Sequence, residues 1–193
     1  MCEYEYKWLV SKEVYNKLLN IFENIVPNKT QSTQINYYYD TNKYNFKNQN
    51  TTVRVRYKNG ILLATVKKHI VGAESEETSW QLNDLPNTLV VDGITTHLLG
   101  EMMTLRTNFI TDKEIIVSFD QNTYLGKTDY EIELEFSESS ISEAFEWKEM
   151  IDLLLDVYPS NHNTNRSTRV SKSDRYIQEK IMCKDRKFEL RKE

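Results

Sequence analysis

Glycine and proline are scarce: five glycines and three prolines punctuate 193 residues. No glycine-rich loop of the kind that cradles phosphates ahead of a helix is present. The two cysteines, Cys2 and Cys183, have no metal-ligand spacing, which fits a reducing compartment and gives no redox role. The three histidines, His69, His97 and His162, are scattered. They build no Ser-His-Asp or Cys-His arrangement, and surface or structural roles are expected of them. No apolar run approaches about 18 residues, so no membrane span is expected. The first residues read as a strand rather than a signal peptide, and a cytoplasmic location follows. Excess positive charge is lacking too. A net charge of -4 argues against a nucleic-acid footprint, although local basic clusters can hide inside a balanced total.

What the chain has is charge sorted onto strands. In Glu3-Tyr4-Glu5-Tyr6-Lys7-Trp8 the side chains alternate, so Glu3, Glu5 and Lys7 share one face and Tyr4, Tyr6 and Trp8 the other. Two carboxylates at this spacing lie about 6.6 Å apart at Cα, near enough to reach one cation. The pattern returns in Glu131-Ile132-Glu133-Leu134-Glu135. Between these acidic strands lies a basic one, Arg54-Val55-Arg56-Tyr57-Lys58. It leads through Asn59-Gly60, a two-residue type I′ turn signal, into Ile61 to Lys68. Further strands are expected over residues 34–41, 77–82, 103–110, 114–122 and 129–136.

Amphipathic helices are expected after Ser11, on Val14, Leu18, Leu19, Phe22 and Ile25, and over 142–157, on Phe145, Met150, Ile151, Leu154 and Leu155. Each proline ends a segment: Pro27, Pro86 and Pro159. A short helix is expected within 93–100, loops over 42–50 and 160–168, and a charged helix from about Ser171 onward. The chain is long enough for one domain, residues 1–193. About eight strands at these spacings suit an antiparallel barrel or sandwich in the α+β class. A sheet with one wet face explains the alternation, but it does not explain why arginines gather on one strand and glutamates on another. A barrel with a polar, charged lumen and an apolar exterior packed under helices explains both. Two like charges 4 Å apart interact by about 4 kcal/mol at an effective dielectric near 20. Such a lumen therefore requires counter-charges, a metal or an anionic ligand.

These residues resemble a known family. Glu3-x-Glu5-x-Lys7 at the start is similar to the signature of the CYTH domain, part of the triphosphate tunnel metalloenzyme superfamily. Tyr38-Tyr39-Asp40-Thr41, Arg54-x-Arg56 with Asn59-Gly60 and Thr65-x-Lys67, Asp120, and Glu131-x-Glu133-x-Glu135 follow in the family's order. Ser171-Lys172-Ser173-Asp174-Arg175-Tyr176 is similar to a basic segment near the end of some bacterial members. The resemblance implies an eight-stranded antiparallel tunnel. It also implies divalent-metal-dependent hydrolysis of a short triphosphate, inorganic or organic such as thiamine triphosphate. A class IV-type adenylate cyclase and a non-enzymatic nucleotide or polyphosphate sensor are the alternatives. By the same resemblance Glu3, Glu5, Glu131, Glu133, Asp120 and Glu77 would serve Mg²⁺ or Mn²⁺. Lys7, Arg54, Arg56, Lys67, Arg106, Lys172 and Arg175 would hold the substrate, and Glu5, Glu133, Lys67 and Arg56 would be central to catalysis. The partner would be a small triphosphate or nucleotide, with no nucleic acid and no membrane; a homodimer is left open. One departure stands out: Thr104-Leu105-Arg106 replaces the Lys-x-Arg that members often carry, which weakens the expected phosphate grip.

Overall fold

A computed structural model describes residues 2–70, 74–111, 115–158 and 170–189. In order these form β1 (Cys2–Val10), α1 (Lys12–Ile25), β2 (Lys29–Asp40), α2 (Asn45–Asn48), β3 (Thr51–Lys58), β4 (Ile61–His69) and β5 (Glu74–Leu82). Then come β6 (Thr88–Val91), β7 (Ile94–Ile110), β8 (Ile116–Tyr124), β9 (Lys127–Phe136), α3 (Ile141–Val157) and α4 (Lys172–Glu189). Every strand pairing is antiparallel, in the order β2-β3-β4-β5-β1-β9-β8-β7, and β7 pairs back onto β2 to close an eight-stranded circuit. β6 extends the β7 edge as a separate hairpin. Pro159 and the expected loop over 160–168 lie outside the described residues.

Local chemistry accounts for most boundaries. Ser11 caps α1, its hydroxyl accepting from the Val14 N–H at 3.3 Å. Asn59 and Gly60 both have positive φ, 52° and 81°, as the type I′ turn requires. The same device explains a correction. The short helix expected within 93–100 is instead the first part of β7, because Asp92 and Gly93 also turn with positive φ and the β-branched Ile94-Thr95-Thr96 follows. The expected loop over 42–50 contains the short helix α2. Asp40 builds it, accepting from the N–H groups of Thr41, Phe46 and Lys47. β2 begins earlier than expected, at Lys29, where it pairs with the far end of β7.

Side-chain alternation then sorts the barrel into two environments. The outer faces of β1, β7, β8 and β9 bury Trp8, Phe109, Phe119, Ile132 and Leu134 under Leu18 and Phe22 of α1 and Ala144, Ile151 and Leu155 of α3. Full burial of such side chains stabilises by roughly 1.5–3 kcal/mol each. Trp8 also donates its indole N–H to Asp152 of α3 at 2.8 Å, which fixes the helix on the sheet. Two residues expected in the helix stripes, Ile25 and Phe145, are about half exposed, at 48% and 51%. The buried stripe of α3 runs through Ala144, Ile151 and Leu155, and Phe145 lies one residue, about 100°, around the helix from it. A second apolar cluster forms where β6, the start of β7 and Phe46 cover Val53, Val55 and Ala64.

A third cluster lies on the inner side. Tyr38, Met102 and Tyr124, from β2, β7 and β8, receive Tyr176 and Ile177 of α4. The charged helix expected from about Ser171 therefore inserts its first turns against the lumen. It reaches the wall at a β-bulge, where Gly100 faces Tyr38 and Tyr176 Oη donates to the Leu99 carbonyl at 3.3 Å. Gly100 has φ +144°, and a Cβ there would lie 1.9 Å from Tyr176 Oη. Among the described residues no helix is long and apolar enough to cross a membrane. Gly100→Ala should lower the melting temperature by an amount equivalent to about 1–3 kcal/mol, the usual scale of overpacking. Thermal unfolding checks this, and an unchanged melting temperature would show that α4 does not seat on this wall.

Candidate active site

Inward-facing side chains divide the lumen into an acidic wall and a basic wall. On the acidic wall, Asp120 of β8 stands opposite Glu131 of β9, with Glu133 two residues on. All three are buried. Their carboxylate oxygens come within 4.8 Å of one another, a set able to hold a metal ion. Cations surround them. Arg106 forks onto Asp120, with Nε to Oδ1 at 2.7 Å and Nη2 to Oδ2 at 2.6 Å, and also bonds Glu133. Lys172, the first residue of α4, places its ammonium 2.9 Å from Asp120, 2.8 Å from Glu131 and 2.7 Å from Glu133. Arg175 bonds Asp129 at 2.9 Å and Glu131 at 2.7 Å. Burial pushes the Glu131 carboxyl up, but Lys172 and Arg175 outweigh it and bring the pKa down to about 2. Burial likewise opposes ionisation of Glu133, and Lys172, Arg106 and Lys7 hold it well below the usual carboxylate range.

The basic wall is less well compensated. Arg56 donates from Nε to the Asn36 side-chain oxygen at 3.0 Å and forms no ion pair among the described residues. Burial, reinforced by Arg54 and Arg106, pushes its pKa down to about 9, the signature of a cation short of counter-charge. It remains charged at neutral pH. Among the described residues Arg54 has one distant carboxylate, Glu77 at 3.9 Å, and its buried Nε has no hydrogen-bond partner. The side-chain amides of Gln34 and Asn36, on β2, also have buried N–H donors with no partner among the described residues. Such orphaned donors cost stability unless a ligand meets them. Between the walls, Lys7 bonds Glu5 at 2.8 Å, while Lys67 lies 3.8 Å from the same carboxylate. The cavity they enclose has a volume of about 140 Å³. Its lining is charged and hydroxylic, with Tyr38 the aromatic among the lining residues.

The expected site residues are thus distributed unevenly. Glu5, Lys7, Arg54, Arg56, Lys67, Glu77, Arg106, Glu133 and Lys172 line one cavity. Asp120, Glu131 and Arg175 stand behind its acidic wall. Glu5 is not among the three gathered carboxylates, and Glu77 faces Arg54. The side chain of Glu3 lies outside the described residues. Thr104, which stands where the resemblance places a lysine in other members, is buried and donates to Asn122 at 2.7 Å, and Asn122 donates in turn to Asp129 at 2.9 Å. Lys172 and Arg175 bring positive charge to this region from α4 instead. Sequence reasoning passed over His69, Thr52, Ser171 and Ser173, which also line the cavity. Thr52 and Ser173 share a hydrogen bond of 2.7 Å, and the Thr52 hydroxyl lies 3.4 Å from His69 Nε2. His69 was within reach of sequence reasoning: it continues the inward parity of Thr65 and Lys67 by one further step of two.

The CYTH domain family model matches residues 1–158 of this chain. The chain belongs to the CYTH domain family. A protein of Bacillus subtilis (strain 168) named "Putative triphosphatase YjbK" is 28% identical over 148 residues, covering 69% of this chain and 76% of its own length. A solved structure from Bacillus halodurans, described as a "putative adenylate cyclase", superposes with a TM-score of 0.66 at 25% identity, covering 90% of this chain and 96% of that one. One from Hippeastrum, described as a "putative adenylyl cyclase" that reveals a dominant triphosphatase activity, gives 0.65 at 16% identity, covering 92% and 95%. At that identity the likeness shows the fold alone. Helix α4 of this CYTH protein, with Lys172 and Arg175, lies beyond the span that the family model matches.

The depressed Glu131 and Glu133 set the pH dependence of stability. A carboxylate whose folded pKa lies below its unfolded value of about 4.3 contributes stability above that value and loses it as pH falls through the folded pKa. For Glu131 the contribution is on the order of 3 kcal/mol. The melting temperature should therefore fall steeply from about pH 4.5 toward pH 2. A melting temperature that stays flat between about pH 5 and pH 3 would contradict the ion pairing described.

Proposed function

We propose that this protein is a triphosphatase that hydrolyses a short inorganic triphosphate in its lumen with Mg²⁺ or Mn²⁺. The observation that carries this reading is the pairing of an under-compensated basic wall, Arg54 and Arg56, with a carboxylate cluster across one polar cavity. The donor set fits the metal: three carboxylate oxygens within 4.8 Å of one another suit a hard divalent ion. Asp120, Glu131 and Glu133 would hold it, with Glu5 at the edge of the cavity. The metal would neutralise phosphate charge and polarise a phosphoryl oxygen.

The rest falls to the chain's own residues. Arg54 and Arg56 offer guanidinium forks matched to phosphate oxygens. Lys67, Lys7 and Arg106 surround the same cavity and add positive charge against which negative charge can develop. Phosphoryl transfer asks mainly for positioning and electrostatic stabilisation, so a water nucleophile suffices and no nucleophilic side chain is needed. Inorganic triphosphate is favoured over an organic one because, among the described residues, the lining is charged and hydroxylic and offers little apolar surface to a base or a thiazole ring. The Bacillus subtilis relative is named a putative triphosphatase, which supports the same reading. An adenylate cyclase would need room for the adenosine, which would have to lie outside this lining. The reducing cytoplasm suits the two cysteines.

Incubation with inorganic triphosphate or ATP, with Mg²⁺ or Mn²⁺, followed by identification of products, tests the proposal. Release of orthophosphate from triphosphate is expected. Cyclic AMP from ATP would replace this reading with a cyclase, and tight binding without turnover would replace it with a sensor. Glu133→Gln should reduce turnover by roughly 100-fold or more, because the metal set loses an anionic ligand. Arg56→Met should weaken triphosphate binding by about 1.5–3 kcal/mol. The ligand-free melting temperature of that variant should hold or rise, since a buried, poorly paired cation is removed. Unchanged affinity together with a lower melting temperature would make Arg56 structural.

A further inference from the structure

Helix α4 lies outside the family-matched span, yet its first residue touches all three gathered carboxylates. Lys172 Nζ, at 2.7–2.9 Å from one oxygen each of Asp120, Glu131 and Glu133, sits where a divalent ion shared by those oxygens would sit. Mg²⁺ binds carboxylate oxygens at about 2.1 Å. An ammonium and a divalent ion drawn to the same three oxygens would lie within a few ångströms of each other, and their repulsion sets them in competition.

The backbone around Lys172 is held firmly. Asp174 N–H donates to the Ser171 hydroxyl at 3.0 Å, Ser173 shares its 2.7 Å hydrogen bond with Thr52, and Arg175 is tied to Asp129 and Glu131. The lysine stem is different: four flexible carbons carry a compact charge, unlike the rigid fork of an arginine. Lys172 also lines the cavity faced by Arg54 and Arg56. Its ammonium can therefore leave the carboxylates for the cavity while α4 stays seated.

We propose that Lys172 is a built-in surrogate for the metal: it compensates the carboxylate cluster before metal binds, is expelled by the divalent ion, and swings into the cavity toward the phosphate. This rests on the metal-dependent reading above. It adds that metal affinity is set by competition with a residue of the chain's own C-terminal helix, so that metal and triphosphate binding reinforce one another through one side chain.

Calorimetric titration with MnCl₂ in the absence of any phosphate compares the wild type with Lys172→Met. The variant keeps the stem and removes the charge, and it should bind Mn²⁺ about tenfold or more tightly than wild type, equivalent to about 1.4 kcal/mol or more. Equal or weaker binding by the variant overturns the surrogate role and leaves the metal reading standing. No Mn²⁺ binding by either protein overturns both. A second measurement needs no variant: the ¹⁵N-labelled ammonium of Lys172 in the wild type, shielded by three carboxylates, should give a slowly exchanging NMR signal that shifts or vanishes on adding Mg²⁺. A signal unmoved at saturating Mg²⁺ overturns the proposal even if Lys172→Met fails to fold.

Discussion

Carboxylates taken out of water must meet positive charge, and the lumen of this barrel is arranged around that requirement. Asp120, Glu131 and Glu133 are buried together, and an isolated ionised carboxylate in such a place costs several kcal/mol even after relaxation. Arg106 answers from the neighbouring strand, and Lys172 and Arg175 answer from α4. The fold of the C-terminal helix is thereby tied to the electrostatics of the strands. The fork of Arg106 fixes the register between β7 and β8 at the point where the charges matter most.

The opposite wall follows a different rule. Arg54 and Arg56 are placed by the β3–β4 hairpin, which the Asn59-Gly60 turn sets in register, and the nearest carboxylates do not neutralise them fully. A protein selected only for stability gains by replacing such groups with apolar ones. Their presence in a polar cavity, with buried donors on β2 that have no partner among the described residues, is a cost that an anionic ligand would reduce. On the proposed function the two walls would be complementary halves of one site, one for a divalent cation and the other for the phosphates that would accompany it. The largest apolar cluster lies outside the barrel, under α1 and α3, so the lumen can hold charge without forfeiting a core.

Much of this was legible in the sequence because a strand has a period of two. Glu5 and Lys7, Arg54 and Arg56, and Glu131 and Glu133 each declare a shared face, and Tyr4, Trp8, Val55, Ile132 and Leu134 declare the other. The hairpin turn was legible because few residues accept two consecutive positive φ values. The misreadings also have physical causes. Residues 93–100 lack strong alternation, since Gly100 sits at a bulge and Leu98 and Leu99 interrupt the period. Phe145 looked like a core residue by type, but Trp147, Ile151 and Leu155 fix a stripe that excludes it. Helix α4 misled most. Its residue types read only as a charged helix, and Lys172 and Arg175 entered the expected site through the family resemblance alone; in the structure both are drawn inward by carboxylates far away in sequence, and Tyr176 follows them into the lumen. Ion pairs between distant segments leave no periodic mark.

Anomalous diffraction from crystals containing Mn²⁺ and a non-hydrolysable triphosphate tests the central claim most directly. The account predicts a manganese peak among Asp120, Glu131 and Glu133, with phosphate oxygens on Arg54 and Arg56 in the same lumen. Manganese bound only outside the barrel, or triphosphate seated away from the two arginines, would contradict it.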